Sequence, residues 1–425
     1  MSAAAPVIVV RGARVVTMAP TGAMSLPVGG FGAARGRAMG ELGVVARADV
    51  VMRGGVIEGV YPGGWRPGAG PGAGDVVGEE IDAAGRVLMP GFVDAHTHAL
   101  WAGDRLDEWE LKRAGKSYLD ILKAGGGIMS TVRAVRAATP EQLAANVACR
   151  FRTMLREGTT TVEVKSGYGL STADELKMLR AAATGAGRVP GMSVVLTALL
   201  GHAIDPGQTE FVCTTVCETL DAVHREFPGI AVDAFCEQGA WSFDDCVRLF
   251  ERAASLGHPV RVHADQFNDL GMTRWAVEHG ARSVDHLEAT RPEVLGMLAA
   301  SETFGVMLPC TGFHTDGRYA DGRGSVDAGG KLVIATNCNP GSAPTSSVPL
   351  AIALAVRFLK LTPGEAMMAC TRNAAALLGL NDRGVIVPGA RADVILLRHT
   401  DERMLAYELG GNPVEAVFAA GARVV

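Results

Sequence analysis

The chain has 425 residues, 48% hydrophobic and 20% charged, with a net charge of −5. That length predicts one large domain with a smaller one beside it, and the charge, with no long run of one sign, gives no electrostatic support for a nucleic-acid or anionic-membrane partner. No stretch reaches the roughly 18 apolar residues of a membrane helix, and residues 1–6 lack the basic and apolar regions of a secretory signal, so a cytoplasmic location is expected. The eight cysteines contain no C-x-x-C pair and read as reduced thiols. Cys213 and Cys217, one helical turn apart, read as two buried apolar thiols.

Short β-branched runs at 7–10, 13–16, 44–46 and 56–60, parted by glycines, read as hairpins of a small sheet. The glycine-rich segments 20–43 and 62–75 read as loops. Residues 384–397 and 413–425 have the same texture as the beginning. Neither end can bury a core alone, so the termini (1–87 and 383–425) are expected to pair into one small β-domain around a central domain, 88–382.

That central part alternates apolar strands with amphipathic helices. Strands are expected at 91–96, 159–165, 194–200, 232–236, 260–264, 283–287, 304–308 and 332–336. Helices are expected at 142–156, 172–183, 210–225, 242–255, 272–278, 292–300 and 346–359. A last one is expected at 362–378, with Thr362 as N-cap and Pro363 at its first position. Eight strand–helix repeats predict a (β/α)8 TIM-type barrel, with the small β-sheet domain formed by both termini. An open doubly wound sheet would need a glycine-rich phosphate loop, and the chain has none.

Barrel chemistry stands at the C-terminal ends of the strands. The first strand ends in Asp94-Ala-His96-Thr-His98, and residues two apart on an extended segment project to one side. The third strand is followed by His202. The fifth ends in His263-Ala-Asp265-Gln266, the sixth in Asp285-His286, and the eighth in Asn337-Cys-Asn339-Pro-Gly341-Ser342. Five of the ten histidines therefore sit at expected strand ends. Several imidazoles with an oxygen ligand and an open water position form the pattern of a catalytic metal site.

These motifs resemble the amidohydrolase superfamily, whose first barrel strand reads P-G-[LF]-[IV]-D-x-H-x-H; here 90–98 reads PGFVDAHTH. Within it the chain is most similar to the imidazolonepropionase family. The shared motifs are GDR at 103–105, AGGGI at 124–128, EVKSGYGL at 163–170, ELKMLR at 175–180, VDAFCE at 232–237, HADQ at 263–266, DHLE at 285–288 and NPGSAP at 339–344. The resemblance implies one divalent metal ion, zinc or iron, on His96, His98, His263 and residue 337. It implies a pocket lined by Arg105, Tyr168, His202, Gln266, Asn339, Gly341 and Ser342, with Arg105 suited to a substrate carboxylate. Catalytic roles fall on His286, Gln266 and Asn337. The reaction implied is hydrolysis of 4-imidazolone-5-propanoate to N-formimino-L-glutamate in histidine degradation, by an enzyme that forms a homodimer.

One departure bears on mechanism. Residue 337 is Asn where the family pattern has Asp, and an amide carries no charge and cannot serve as a base near neutral pH. A second is the loop 312–318, GFHTDGR. Two alternatives therefore stand beside the first reading. One is a weakly active or non-catalytic homologue, because of Asn337. The other is a related amidohydrolase acting on another cyclic amide or imidazole-like ring, which the loop would accommodate.

Overall fold

A computed structural model describes residues 6–20, 32–68, 76–116 and 126–425. Residues 21–31 and 69–75, parts of the loops expected at 20–43 and 62–75, and residues 124–125 of the AGGGI motif lie outside the described residues.

The two ends of the chain do build one sheet. β1 (Val7–Val16), β2 (Val44–Arg53), β3 (Val56–Tyr61), β4 (Val77–Asp82) and β5 (Val87–Pro90) come from the beginning; β14 (Val394–Leu397), β15 (Val414–Ala419) and β16 (Ala422–Arg423) come from the end. β5 pairs with both β1 and β14, which stitches the termini together. The sheet therefore runs to residue 90, slightly past the expected boundary at 87. A side-chain fork reinforces the seam: Arg14 donates Nε to Glu402 Oε2 at 2.7 Å and Nη2 to Oε1 at 2.9 Å. β4 was not foreseen, because its two central glutamates hide the strand pattern. The expected loop 20–43 also carries structure. A 3₁₀ turn at Gly36–Gly40 follows Arg35, whose guanidinium bonds the carbonyls of Ala299, Ser301 and Gly329 on the barrel.

All eight expected barrel strands are present and run parallel in chain order. They are β6 (Phe92–Asp94), β7 (Thr159–Lys165), β8 (Ser193–Gly201), β9 (Ala231–Cys236), β10 (Arg261–Ala264), β11 (Ser283–His286), β12 (Phe304–Met307) and β13 (Leu332–Ile334). Most of their residues are buried, and β7 is buried along its whole length, as strands enclosed on both faces must be. The last strand meets the first beyond their ordered ends: a parallel bridge joins Thr97 and Cys338. Asn337 N donates to His96 O at 3.1 Å, and His98 N to Cys338 O at 2.9 Å. Closure of the barrel thus brings the first and eighth strand ends into backbone contact.

The helices begin with α1 (Leu106–Arg113), α2 (Ile128–Ala137), α3 (Pro140–Arg156) and α4 (Thr172–Gly187). α3 starts at a capping box of Thr139 and Gln142, and α4 at a Ser171 cap. The expected cap at Thr362 is made, with Glu365 completing its box, but the helix expected over 362–378 is two, Pro363–Ala369 and Arg372–Leu377. The break frees the Cys370 carbonyl to accept the Val93 N–H at 2.8 Å, which anchors the first barrel strand. Cys213 and Cys217 are exposed rather than buried, in a stretch whose helix widens to a π turn at Thr215–Thr219. The two thiols share one helical face, as their spacing requires, but that face meets solvent, against the usual burial of free cysteine.

Candidate active site

The five strand-end histidines are collected at one end of the barrel. Ring centroids are 5.4 Å apart for His96 and His98, 4.5 Å for His96 and His263, 5.3 Å for His98 and His263, and 5.5 Å for His263 and His286. His202 stacks on His98 at 4.9 Å. The ligand nitrogens of His96, His263 and His286 all lie within 4.8 Å of one another. The Nε2 atoms of His98 and His263 are 3.3 Å apart.

Carboxylates behind the rings decide which nitrogen faces inward. His96 Nδ1 is 2.6 Å from Asp285, and His263 Nδ1 is 3.1 Å from Asp233. Each Nδ1 therefore carries its proton toward a carboxylate, leaving Nε2 with its lone pair toward the cluster. Asp285 in turn accepts from Arg261 Nη2 at 2.6 Å and Ser283 Oγ at 2.5 Å. Burial works against its charge, but Arg261 and Lys165 hold its carboxyl below the usual range. Lys165 Nζ bonds Glu163 and Asp233, both at 2.8 Å, and Arg261 Nη1 reaches Glu163 at 3.2 Å. These five charged side chains are all buried, and they form an ionic layer directly beneath the histidines.

The same burial pushes the pKa of His96, His98 and His263 well below that of free histidine. They are neutral at pH 7, the form that ligates cations. Among the buried polar atoms of the described residues that have no partner are His96 Nε2, His98 Nδ1 and Asn337 Oδ1, all at this cluster. Asn337 spends its other end by donating Nδ2 to Thr311 Oγ1 at 2.8 Å. Buried polar atoms are rarely left unsatisfied without a functional reason. A pair of nitrogens 3.3 Å apart is also the spacing of two ligands around a small ion at about 2.0–2.1 Å. The donors present thus fit one divalent cation.

Backbone strain gathers at the same place. His286 (φ 94°), Leu287 (φ 72°), Asp265 (φ 57°) and Asn337 (φ 55°) are non-glycine residues in left-handed conformations, a costly choice that clusters at functional sites. Asp94 accepts from Thr336 N at 3.1 Å and Oγ1 at 2.5 Å, drawing the first strand onto the eighth. Burial raises its pKa to about 7.

A cavity of about 70 Å³ opens on the histidines and is lined by His98, His202, His263, His286, Gln266 and Asn337, with Tyr168, Asn339 and Ser342 completing its wall. It leads to an outer cavity of about 660 Å³ that adds Arg105 and Gly341. Every expected site residue therefore lines this connected space except His96, which lies just beneath it in the histidine cluster.

Several positions are held by groups that the sequence does not single out. Glu175 accepts the backbone N–H groups of Gly167, Gly169 and Leu170, each at 2.8 Å, and so shapes the loop that presents Tyr168. Gly167 is at φ 106°, and a Cβ there would lie 2.9 Å from His202 Nδ1. His202 Nδ1 donates to Gly167 O at 3.0 Å, and burial lowers its pKa to about 4. Glu237 accepts from Phe267 N, Asn268 N and Asn268 Nδ2, fixing the loop after Gln266. In the unexpected loop 312–318, Arg318 lies over Phe267 and donates to Gln266 O at 3.3 Å, supporting that loop from the other side. Asn339 is more structural than expected. Its Oδ1 accepts from Gly341 N and Ser342 N, and its Nδ2 donates to Asn337 O, so the side chain holds its own turn.

The comparisons agree with this arrangement. Residues 87–424 match the model of the amidohydrolase family. An imidazolonepropionase of Deinococcus radiodurans is 44% identical over 406 residues, covering 95% of this chain and 98% of its own length. One of Herpetosiphon aurantiacus is 46% identical over 360 residues, covering 82% and 84%. Among solved structures, 5-methylcytosine deaminase from Klebsiella pneumoniae superposes with a TM-score of 0.72 at 16% identity, covering 98% of each chain, which speaks for the fold alone. The chain belongs to the amidohydrolase family and, within it, to the imidazolonepropionases.

Proposed function

We infer that this enzyme hydrolyses the cyclic amide of 4-imidazolone-5-propanoate, giving N-formimino-L-glutamate in histidine degradation. The observation that carries the reading is the convergence of His96, His98 and His263 from two distant strand ends, with His98 and His263 Nε2 at 3.3 Å, in a chain 44% identical to an imidazolonepropionase.

His96, His98 and His263, with Asn337 Oδ1, would hold one divalent ion, zinc or iron. When bound, such an ion lowers the pKa of a water and polarises a carbonyl. The remaining work belongs to side chains. Arg105 meets the propanoate carboxylate through the Nη1 end of its planar guanidinium. Tyr168 and His202 hydrogen-bond the ring, and Gln266 reaches it from the opposite wall. The turn of Asn339, Gly341 and Ser342 closes the carboxylate end. The Asn337 amide is neither acid nor base near neutral pH, so proton transfer falls to His286, whose Nδ1 is 3.3 Å from Glu288. A cytoplasmic homodimer with a small-molecule substrate completes this reading; among the described residues, no helix is long and apolar enough to cross a membrane.

The test is a turnover assay on protein of defined metal content with freshly generated imidazolone propanoate. Metal-dependent release of N-formimino-glutamate is expected. Stoichiometrically loaded protein with no turnover would instead support a binding homologue, and turnover of another ring alone would move the assignment to that substrate.

A further inference from the structure

At the mouth of the outer cavity, one buried acid is shared by two cations. Glu108, in the first turn of α1, accepts Arg105 Nε at 2.5 Å and also contacts Arg105 Nη2. Its other oxygen takes Lys112 Nζ at 2.8 Å. It further accepts the N–H of Gly127 at 2.9 Å, which ties α1 to the start of α2. Only Arg105 Nη1 is left outside this grip. It reaches Thr131 Oγ1 at 3.3 Å and lies 3.3 Å from where a Cβ on Gly341 would stand. The guanidinium is thus clamped along one edge, with its Nη1 end beside the cavity wall.

We propose that Glu108 is a positioning residue for substrate recognition: it holds the Arg105 guanidinium in one orientation and offsets one of the two positive charges it contacts. This rests on the reading that Arg105 receives the substrate carboxylate. Glu108 is charged in place; burial opposes its ionisation, but Lys112 and Arg105 more than offset it. An Arg fork must keep its plane to bind a carboxylate in register. A free Arg105 would have more rotamers to lose on binding.

Two effects of removing the acid oppose each other, which makes the test a matter of sign. Glu108→Gln deletes a negative charge next to the substrate carboxylate, and charge alone would lower KM. Loss of the clamp would raise it. The expected result is a KM about tenfold higher for imidazolone propanoate, with kcat changed less than twofold. Glu108→Asp should recover part of the loss. The same ring bearing a neutral side chain should be hydrolysed equally by both proteins. A lowered KM, or an equal loss of kcat on both substrates, would overturn the proposal. Arg105→Ala with an unchanged KM would overturn the Arg105–carboxylate contact itself, and the role of Glu108 with it.

Discussion

The Nε2 atoms of His98 and His263 face each other across 3.3 Å with no proton donor on the His263 side, because the His263 proton is held at Nδ1 by Asp233. His98 has no partner at Nδ1, so its Nε2 can donate to His263 when the site is empty and turn a lone pair to a cation when one binds. Removal of metal with a chelator is expected to lower the unfolding temperature and abolish turnover. A ligand at about 100 times its Kd adds roughly 2.7 kcal/mol to stability. His263→Ala should lose bound metal in elemental analysis, whereas His279→Ala, on an exposed helix end, should retain it. Full metal occupancy in the His263 variant would refute the ligand role.

Asn337→Asp should improve the enzyme. The carboxylate would add a charge to the ligand set and a base beside the reacting water. General-base catalysis is worth on the order of 10²-fold or more, so a rise of that order in kcat is expected, with tighter metal retention in competition with a chelator. An unchanged rate would show that His286 already carries the proton transfer without limiting it.

Lys165 compensates two buried carboxylates at once. Lys165→Met would leave Glu163 with Arg261 and Asp233 with the neutral His263 ring, and breaking a buried ion pair from one side costs about 3–5 kcal/mol. Denaturant unfolding of the metal-free protein should show that loss. A shift within error would mean that the buried acids take up protons instead.

The Arg14–Glu402 fork predicts an acid-sensitive seam between the termini. Burial raises the pKa of the Glu402 carboxyl, but the hydrogen bonds from Arg14 bring it below the usual value. Its contribution is therefore complete above the unfolded pKa of about 4.3 and disappears as pH falls through the lower folded value. Glu402→Gln should cost about 1 kcal/mol at pH 7 and nothing well below pH 4. An equal cost at both pH values would assign the effect to packing.

Much of this was legible because barrel strands are enclosed on both faces, so their apolar runs stand out, and because i, i+2 spacing places His96 and His98 on one side. Glu163 and Lys165 entered only through the EVKSGYGL motif, and their role beneath the histidines appears only once Asp233 and Arg261 are brought to them. Other features depend on partners far away in the chain. The interruption at Cys370 exists to receive Val93, and Glu108 gains its meaning only when Lys112, Gly127 and Arg105 surround it. The exposure of Cys213 and Cys217 had no signal either, because a shared helical face does not say whether it meets core or solvent.

The bridge between Thr97 and Cys338 bears on how the molecule assembles. Residues 96 and 337 become neighbours only when the two ends of a chain segment some 240 residues long are brought together, among the slowest events a polypeptide performs. A cation-binding pocket split across that seam matures after nearly everything else has docked. Ions captured there would act as a latch on the finished ring, and chains made under metal starvation would spend longer ajar at this one join.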